Sequence, residues 1–320
     1  MEDSERLTYF YHSFPRRFRK DTGEELENGL KILKSIHDIG FILTPEITEW
    51  QEPLDDGTLS KPWKVIQKRC CFTELSPNEL EKHTKSFGCF SLEFNARTIR
   101  QLGGIPVFYL PKPTDEDVGL ESLASALIAR TGEIQKVLNR LSELSEHIGK
   151  NPDKSQLLGV GKDGNKAFFR TSLGGTEDVL SLITRDTQPI NILRNALRVI
   201  TGFFYPAEDF RYTGILAYYQ QREWRFVANM SKEGMEINRD PTESEKDQLL
   251  KIDSDFFGKE LEFFTGTYKR VDQCRIFSEL NGKSIYRYAN RIIVPDAVID
   301  AVREIFNKAE DPPVISVNEL

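Results

Sequence analysis

The stretch Tyr218-Tyr219-Gln220-Gln221-Arg222-Glu223-Trp224-Arg225-Phe226 decides the reading of this chain. Its density of aromatics predicts a strand. Regular alternation would put Glu223 and Arg225 on one face and Arg222 and Trp224 on the other. Arg225 is then placed to orient or neutralise the Glu223 carboxylate. The competing reading is an ordinary ion pair, which stabilises little at a surface. The aromatic residues read as core packing, with base stacking as the alternative.

Working outward, the start of the chain has the same texture. Leu7-Thr8-Tyr9-Phe10-Tyr11-His12-Ser13-Phe14 is a strand bounded by Pro15, with one titratable group, His12, set among aromatics. A histidine on an early strand and a glutamate on a late one form a candidate pair for binding and cleaving a nucleotide glycoside. A packed or capping histidine is the other reading of His12.

The rest of the chain frames these two strands. Periodic apolar residues predict a helix from Glu24 to Ile39, stopped by Gly40. Val65 to Leu75 is a strand. Ser76-Pro77-Asn78-Glu79 carries a helix-start signature for a short helix to about Ser86. Gly88 to Phe94 is a strand, Ala96 to Leu102 a short helix, and Ile105 to Leu110 a strand. From Leu120 to Ile148 and from Thr176 to Phe204 the pattern is helical, the second stretch broken near Pro189. Strand texture returns at Ile215–Met230. Helix is expected from Ser244 to Glu262, strand within Arg270–Phe277 and again at Asn290–Pro295, helix from Asp296 to Lys308, and a loose tail from Glu310. The expected organisation is an α+β core in two halves, 1–114 and 211–320, around a helical insertion, 115–210.

Composition narrows the function classes. The 320 residues are 39% hydrophobic and 29% charged, a globular and not a disordered composition. The net charge of −7 lacks the positive field of a general nucleic-acid coat. The run Arg16, Arg17, Arg19 and Lys20 reads as a solvated loop. No apolar run approaches the roughly 18 residues of a membrane helix. The acidic start lacks a secretory pattern, so a cytoplasmic protein without a membrane partner is expected. Cys70, Cys71, Cys89 and Cys274 contain no Cys-x-x-Cys pair and the histidines are scattered, which predicts free thiols and no metal site. Gly159-Val160-Gly161-Lys162 lacks P-loop spacing. No acidic cluster fits a two-metal nuclease.

Several segments carry a resemblance. Cys71-Phe72-Thr73-Glu74, Phe87-Gly88-Cys89-Phe90-Ser91-Leu92-Glu93-Phe94, Gly104-Ile105-Pro106-Val107-Phe108-Tyr109, Arg222-Glu223-Trp224-Arg225 and Ile292-Ile293-Val294-Pro295 together resemble the AbiGi-type abortive-infection proteins. The resemblance covers roughly 7–112 and 212–306 and leaves the insertion outside. That family and the DNA-modifying DarT toxins look like distant members of the ADP-ribosyltransferase superfamily. The resemblance implies a split, bent sheet that grips NAD. It also implies a catalytic pair, Glu223 and His12, with Phe41 or Phe72 as the aromatic that stacks on the cofactor. Neither has the usual tyrosine hydroxyl. In that scheme Glu223 accepts a hydrogen bond from a ribose hydroxyl and stabilises an oxocarbenium-like transition state. His12 holds the ribose. Arg16, Arg17 or Arg100 would reach the pyrophosphate. Glu74 is a helix-entry carboxylate or a second-site acid.

The leading expectation is therefore an anti-phage ADP-ribosyltransferase that transfers ADP-ribose from NAD to nucleic acid or protein. The alternative is a non-catalytic antitoxin or phage sensor on the same fold, acting by protein binding. Long amphipathic helices in the insertion are a candidate partner surface or a cover for their own core.

Overall fold

The computed structural model describes residues 8–15, 22–51, 58, 60–110, 128–134, 137–138, 157–160, 166–169, 188–206, 222–228, 231–232, 235–263 and 266–320. The chain divides into two compact units, residues 1–125 with 199–320, and residues 126–198.

The larger unit begins with strand β1 (Tyr9–Phe14) and helix α1 (Thr22–Asp38). Leu33 and Ile36 of α1 are buried, as its period predicts. Gly29 lets the helix lie directly on the Phe90 ring, which occupies the place a Cβ would take. Gly40 follows at φ +112°, against the Phe277 carbonyl, a position only glycine fills without strain. Next come β2 (Phe41–Trp50) and the thirteen-residue β3 (Trp63–Leu75). Helix α2 (Pro77–Phe87) starts where the signature places it: the Glu79 carboxylate accepts from the Ser76 backbone N–H and hydroxyl, both at 2.8 Å. Then follow β4 (Phe90–Phe94) and α3 (Ala96–Gln101), capped by the Asn95 side chain. The single strand expected over 105–110 is two, β5 (Ile105–Pro106) and β6 (Phe108–Leu110), each with a different partner.

In the 126–198 unit, residues 128–134 and 137–138 are helical, with Ile128, Thr131 and Leu138 buried. Strands β7 (Leu157–Val160) and β8 (Lys166–Phe169) form an antiparallel hairpin. Helix α4 (Gln188–Phe203) starts in this unit. Pro189 sits in its first turn, where the missing N–H costs nothing; residues 176–187, expected to be helical before it, lie outside the described residues.

Back in the larger unit, β9 (Phe204–Pro206) and β10 (Glu223–Val227) precede a small hairpin of β11 (Ser231–Lys232) and β12 (Met235–Glu236). Residues 215–221, expected to extend the late strand, lie outside the described residues. Helices α5 (Glu243–Ile252) and α6 (Ser254–Phe257) follow. The helix expected to reach Glu262 stops early. Glu260-Leu261-Glu262-Phe263 alternates polar and apolar, and it forms β13 (Glu260–Phe263), paired with β14 (Gly266–Lys269). Residues Arg270–Gln273 make a 3-10 turn before β15 (Arg275–Phe277). A hairpin of β16 (Glu279–Leu280) and β17 (Lys283–Ser284) leads to β18 (Arg291–Val294) and α7 (Ile299–Ile305). The tail is not loose. Tyr286 and Arg287 both donate to the Asp311 carboxylate, and β19 (Val314–Ser316) adds to β18 in parallel.

Among the described residues the central sheet has nine strands in the order β15-β2-β3-β1-β4-β18-β19, with β10 on the other edge of β3 and β5 beside β10. On one edge of β3, β2 pairs Trp63–Arg69 and β1 pairs Thr73–Leu75. The sheet forks between them, at residues 70–72. One face is the apolar core, where the rings of Phe41, Phe72, Phe94 and Phe226 meet at centroid distances from 4.5 to 6.1 Å. Helices α1 and α7 pack on this core.

Gly29→Ala should destabilise the protein by about 1–3 kcal/mol, because the added methyl overpacks against the Phe90 ring. Chemical denaturation checks this, and an unchanged midpoint would mean that α1 can shift away.

Candidate functional site

Glu223 opens β10. Its strand pairs with β3 in the register Glu223↔Thr73 and Arg225↔Cys71. Directly opposed residues share a face, so Glu223 and Arg225 lie with Gln67, Arg69 and Cys71 of β3 and Glu46 of β2. These residues make one connected network. Arg225 Nε donates to Glu223 at 2.7 Å, and the Tyr109 hydroxyl of β6 donates to the other carboxylate oxygen at 2.6 Å. Gln67 Oε1 accepts from Arg69 at 3.2 Å and from Arg225 at 3.4 Å. The Gln67 amide donates to the carbonyls of Thr201 and Phe204, both at 2.8 Å. Arg69 pairs with Glu46. Tyr205 of β9 lies under both guanidiniums, 4.7 and 4.9 Å from its ring centre, and its hydroxyl donates to Glu46 at 3.1 Å.

The charges balance: two carboxylates against two guanidiniums. The Arg225 side chain is 1% exposed and that of Glu223 14%. Burial alone would raise the Glu223 carboxyl, but Arg225 and then Arg69 outweigh it and hold it down at about 2. The Cys71 thiol hydrogen-bonds to the same carboxylate, and burial followed by that negative charge pushes it up to about 11. At neutral pH it is a thiol and a poor nucleophile.

His12 lies on the other face. Tyr11 is the β1 residue paired with Thr73, so Tyr11 shares the Glu223 face and His12 points into the aromatic core. Its Nδ1 stands 2.8 Å from the Cys71 carbonyl. A carbonyl only accepts, so Nδ1 carries the proton. Cys71 sits in the part of β3 that neither β2 nor β1 pairs on that edge, and His12 thus satisfies the peptide left open at the fork. Burial lowers the imidazole from 6.5 to about 4, so it is neutral at physiological pH.

The structure therefore does not bring His12 and Glu223 together. Phe41 and Phe72 are core residues, 0% and 1% exposed. Arg100 is exposed on α3, and Arg16 and Arg17 lie outside the described residues, as do Tyr218 and Tyr219. Arg222, expected opposite Glu223, stands at φ +44°, outside the regular pleat, and pairs with Glu79 of α2 at 2.7 Å. Trp224 does face the core, edge-on to Phe10. Glu74 lies across from Phe10 on β3. Sequence reasoning missed Glu46, Gln67, Arg69, Tyr109 and Tyr205. The alternation Gln67-x-Arg69-x-Cys71 was a usable signal for one polar face. The two tyrosines had none, because only chain folding brings them there.

The ionic strip continues across the sheet. Glu223, Thr73, Tyr11, Glu93 and Arg291 are successive register partners. Glu93 accepts from the Tyr11 hydroxyl at 2.9 Å and from Arg291 Nε at 2.8 Å. Among the described residues no group of three or more His, Cys, Asp and Glu side chains could hold a metal ion, and all four cysteines are free. No described helix is long and apolar enough to cross a membrane.

The fold and site define an α+β protein with a forked sheet and a paired ionic strip on one face. The chain belongs to the AbiGi family, whose model, described as "Putative abortive phage resistance protein AbiGi, antitoxin", matches residues 63–264. The match runs through the helical stretch that the sequence motifs had left out, and it starts after β2. No curated protein and no solved structure matches the chain.

Two predictions follow from the geometry. The neutral His12 contributes stability above its unfolded value of 6.5, and this is lost as pH falls from about 6.5 to about 4. The loss should reach about 3 kcal/mol. His12→Gln, compared with wild type in denaturation at several pH values, should lack that part of the acid decline; identical pH profiles would remove the assignment. Glu223→Gln should cost about 3 kcal/mol at pH 7, because it leaves the buried Arg225 without its counter-charge. The Glu223 contribution is present above pH 4.5 and lost as pH falls toward about 2. The gap between variant and wild type should therefore close over that window.

Proposed function

We propose that this protein is the antitoxin of a phage-resistance pair and that it neutralises its toxin by binding it, without chemistry on NAD. The observation that carries this reading is the structural engagement of Glu223. Both of its carboxylate oxygens are engaged, its guanidinium partner is buried, and the strip around it is electrically balanced. In the catalytic scheme this carboxylate would have to accept from a ribose hydroxyl, whereas here Tyr109, Arg225 and Cys71 already donate to it. Support also comes from the position of His12 on the opposite face, and from the description of the matched family.

The ADP-ribosyltransferase-like core implied by the sequence is kept in this reading as a scaffold. Its forked sheet supports that descent, and the catalytic pair is put to structural use. Exposed apolar side chains supply material for a protein contact. In the 126–198 unit Ile134, Val137 and Leu193 are 47%, 55% and 47% exposed.

The test has two arms. Purified protein is incubated with labelled NAD, nucleic acid and lysate of phage-infected cells; neither label transfer nor nicotinamide release is expected. In parallel, the protein is expressed with the toxin encoded beside it, and growth is followed. Rescue by wild type that is lost in Val137→Asp/Leu193→Asp, with the fold intact, supports the reading. NAD turnover that disappears in a folded Glu223→Gln variant overturns it in favour of ADP-ribose transfer.

A further inference from the structure

Strands β6 and β9 form a parallel pair of three residues each that joins no larger sheet among the described residues. Such a pair makes too few ladder bonds to hold itself in water. Its central residues, Tyr109 and Tyr205, are register partners, and both insert into the ionic strip. Tyr109 reaches Glu223. Tyr205 lies under Arg69 and Arg225 and reaches Glu46. Gln67 adds a third fastening. Its two amide hydrogens go to the carbonyls of Thr201 and Phe204, which close the C-terminal end of α4 and which no helical N–H can reach. With two acceptor bonds from the arginines, Gln67 uses its full hydrogen-bonding capacity. Gly202 permits this approach, since a Cβ there would stand 3.0 Å from Val227 of β10.

The geometry points to a clamp: Glu223, Arg225, Arg69, Gln67 and Glu46 hold β6 and β9, the two strands that bracket residues 111–203, side by side on the sheet. The role of Glu223 is then to fasten this bracket. Cutting the clamp frees the bracket as a unit and leaves the sheet folded. The clamp holds whether the protein binds a toxin or not.

The test is amide hydrogen exchange on the full-length Tyr109→Phe/Tyr205→Phe protein, which loses two hydroxyls and no ring. Amides of 108–110 and of 204 and 205 should exchange about tenfold faster or more, while those of β4 and β18 change less than about twofold. Equal acceleration at both sets would overturn the clamp and make the network a general contributor to stability. No change at either set would also overturn it, since β6 and β9 would then be held by other contacts. If the double variant fails to fold, Tyr109→Phe alone is read by the same criteria at 108–110.

Discussion

The pleat of β3 separates two kinds of chemistry, and the rest of the structure depends on that separation. Cys70 and Phe72 point into the aromatic core; Gln67, Arg69 and Cys71 point to the ionic strip. Every neighbouring strand inherits the division through its register with β3. Phe226 of β10 joins the core and Arg225 joins the strip. Phe10 of β1 joins the core and Tyr11 joins Glu93. A long strand with both faces buried cannot slip without moving arginines into hydrocarbon, so the register is strongly specified.

Charges on a buried face are costly to desolvate, and they persist only when fully paired. Here the pairing is complete. Glu223 and Glu46 offset Arg225 and Arg69, Gln67 joins the two guanidiniums, and Tyr109 and Tyr205 each donate to one of the carboxylates. Such a network favours one arrangement of the chain over near alternatives, because a partial match leaves a buried charge unpaired. In the proposed reading a carboxylate held in this way serves the structure. The features that suggest catalysis in the linear sequence, an acid among arginines and aromatics, are also those of a structural ion cluster.

Some parts of the fold were legible because their signals are local. The Ser76–Glu79 capping box, the period of α1 and the buried strand at Phe90–Phe94 depend on neighbours within one or two turns. The misread parts depend on distant partners or on mixed signals. The tail looked loose because Glu310-Asp311-Pro312-Pro313 is polar and proline-rich, yet Asp311 is fixed by Tyr286 and Arg287, and the next three residues find an open edge on β18. The alternating Glu260–Phe263 segment was absorbed into the preceding helix because it is short.

For the candidate site the division is sharper. The two-residue period of a strand was enough to place Glu223 and Arg225 on one face, since that follows from backbone geometry within a single segment. Where His12 would stand relative to them was decided only by tertiary structure. The β1–β3 register aligns Tyr11 with Thr73, and this sends His12 to the opposite side. A shift of one residue would have reversed it. No local pattern in either strand encodes that choice; it is set by which side chains the core and the ionic strip can accept.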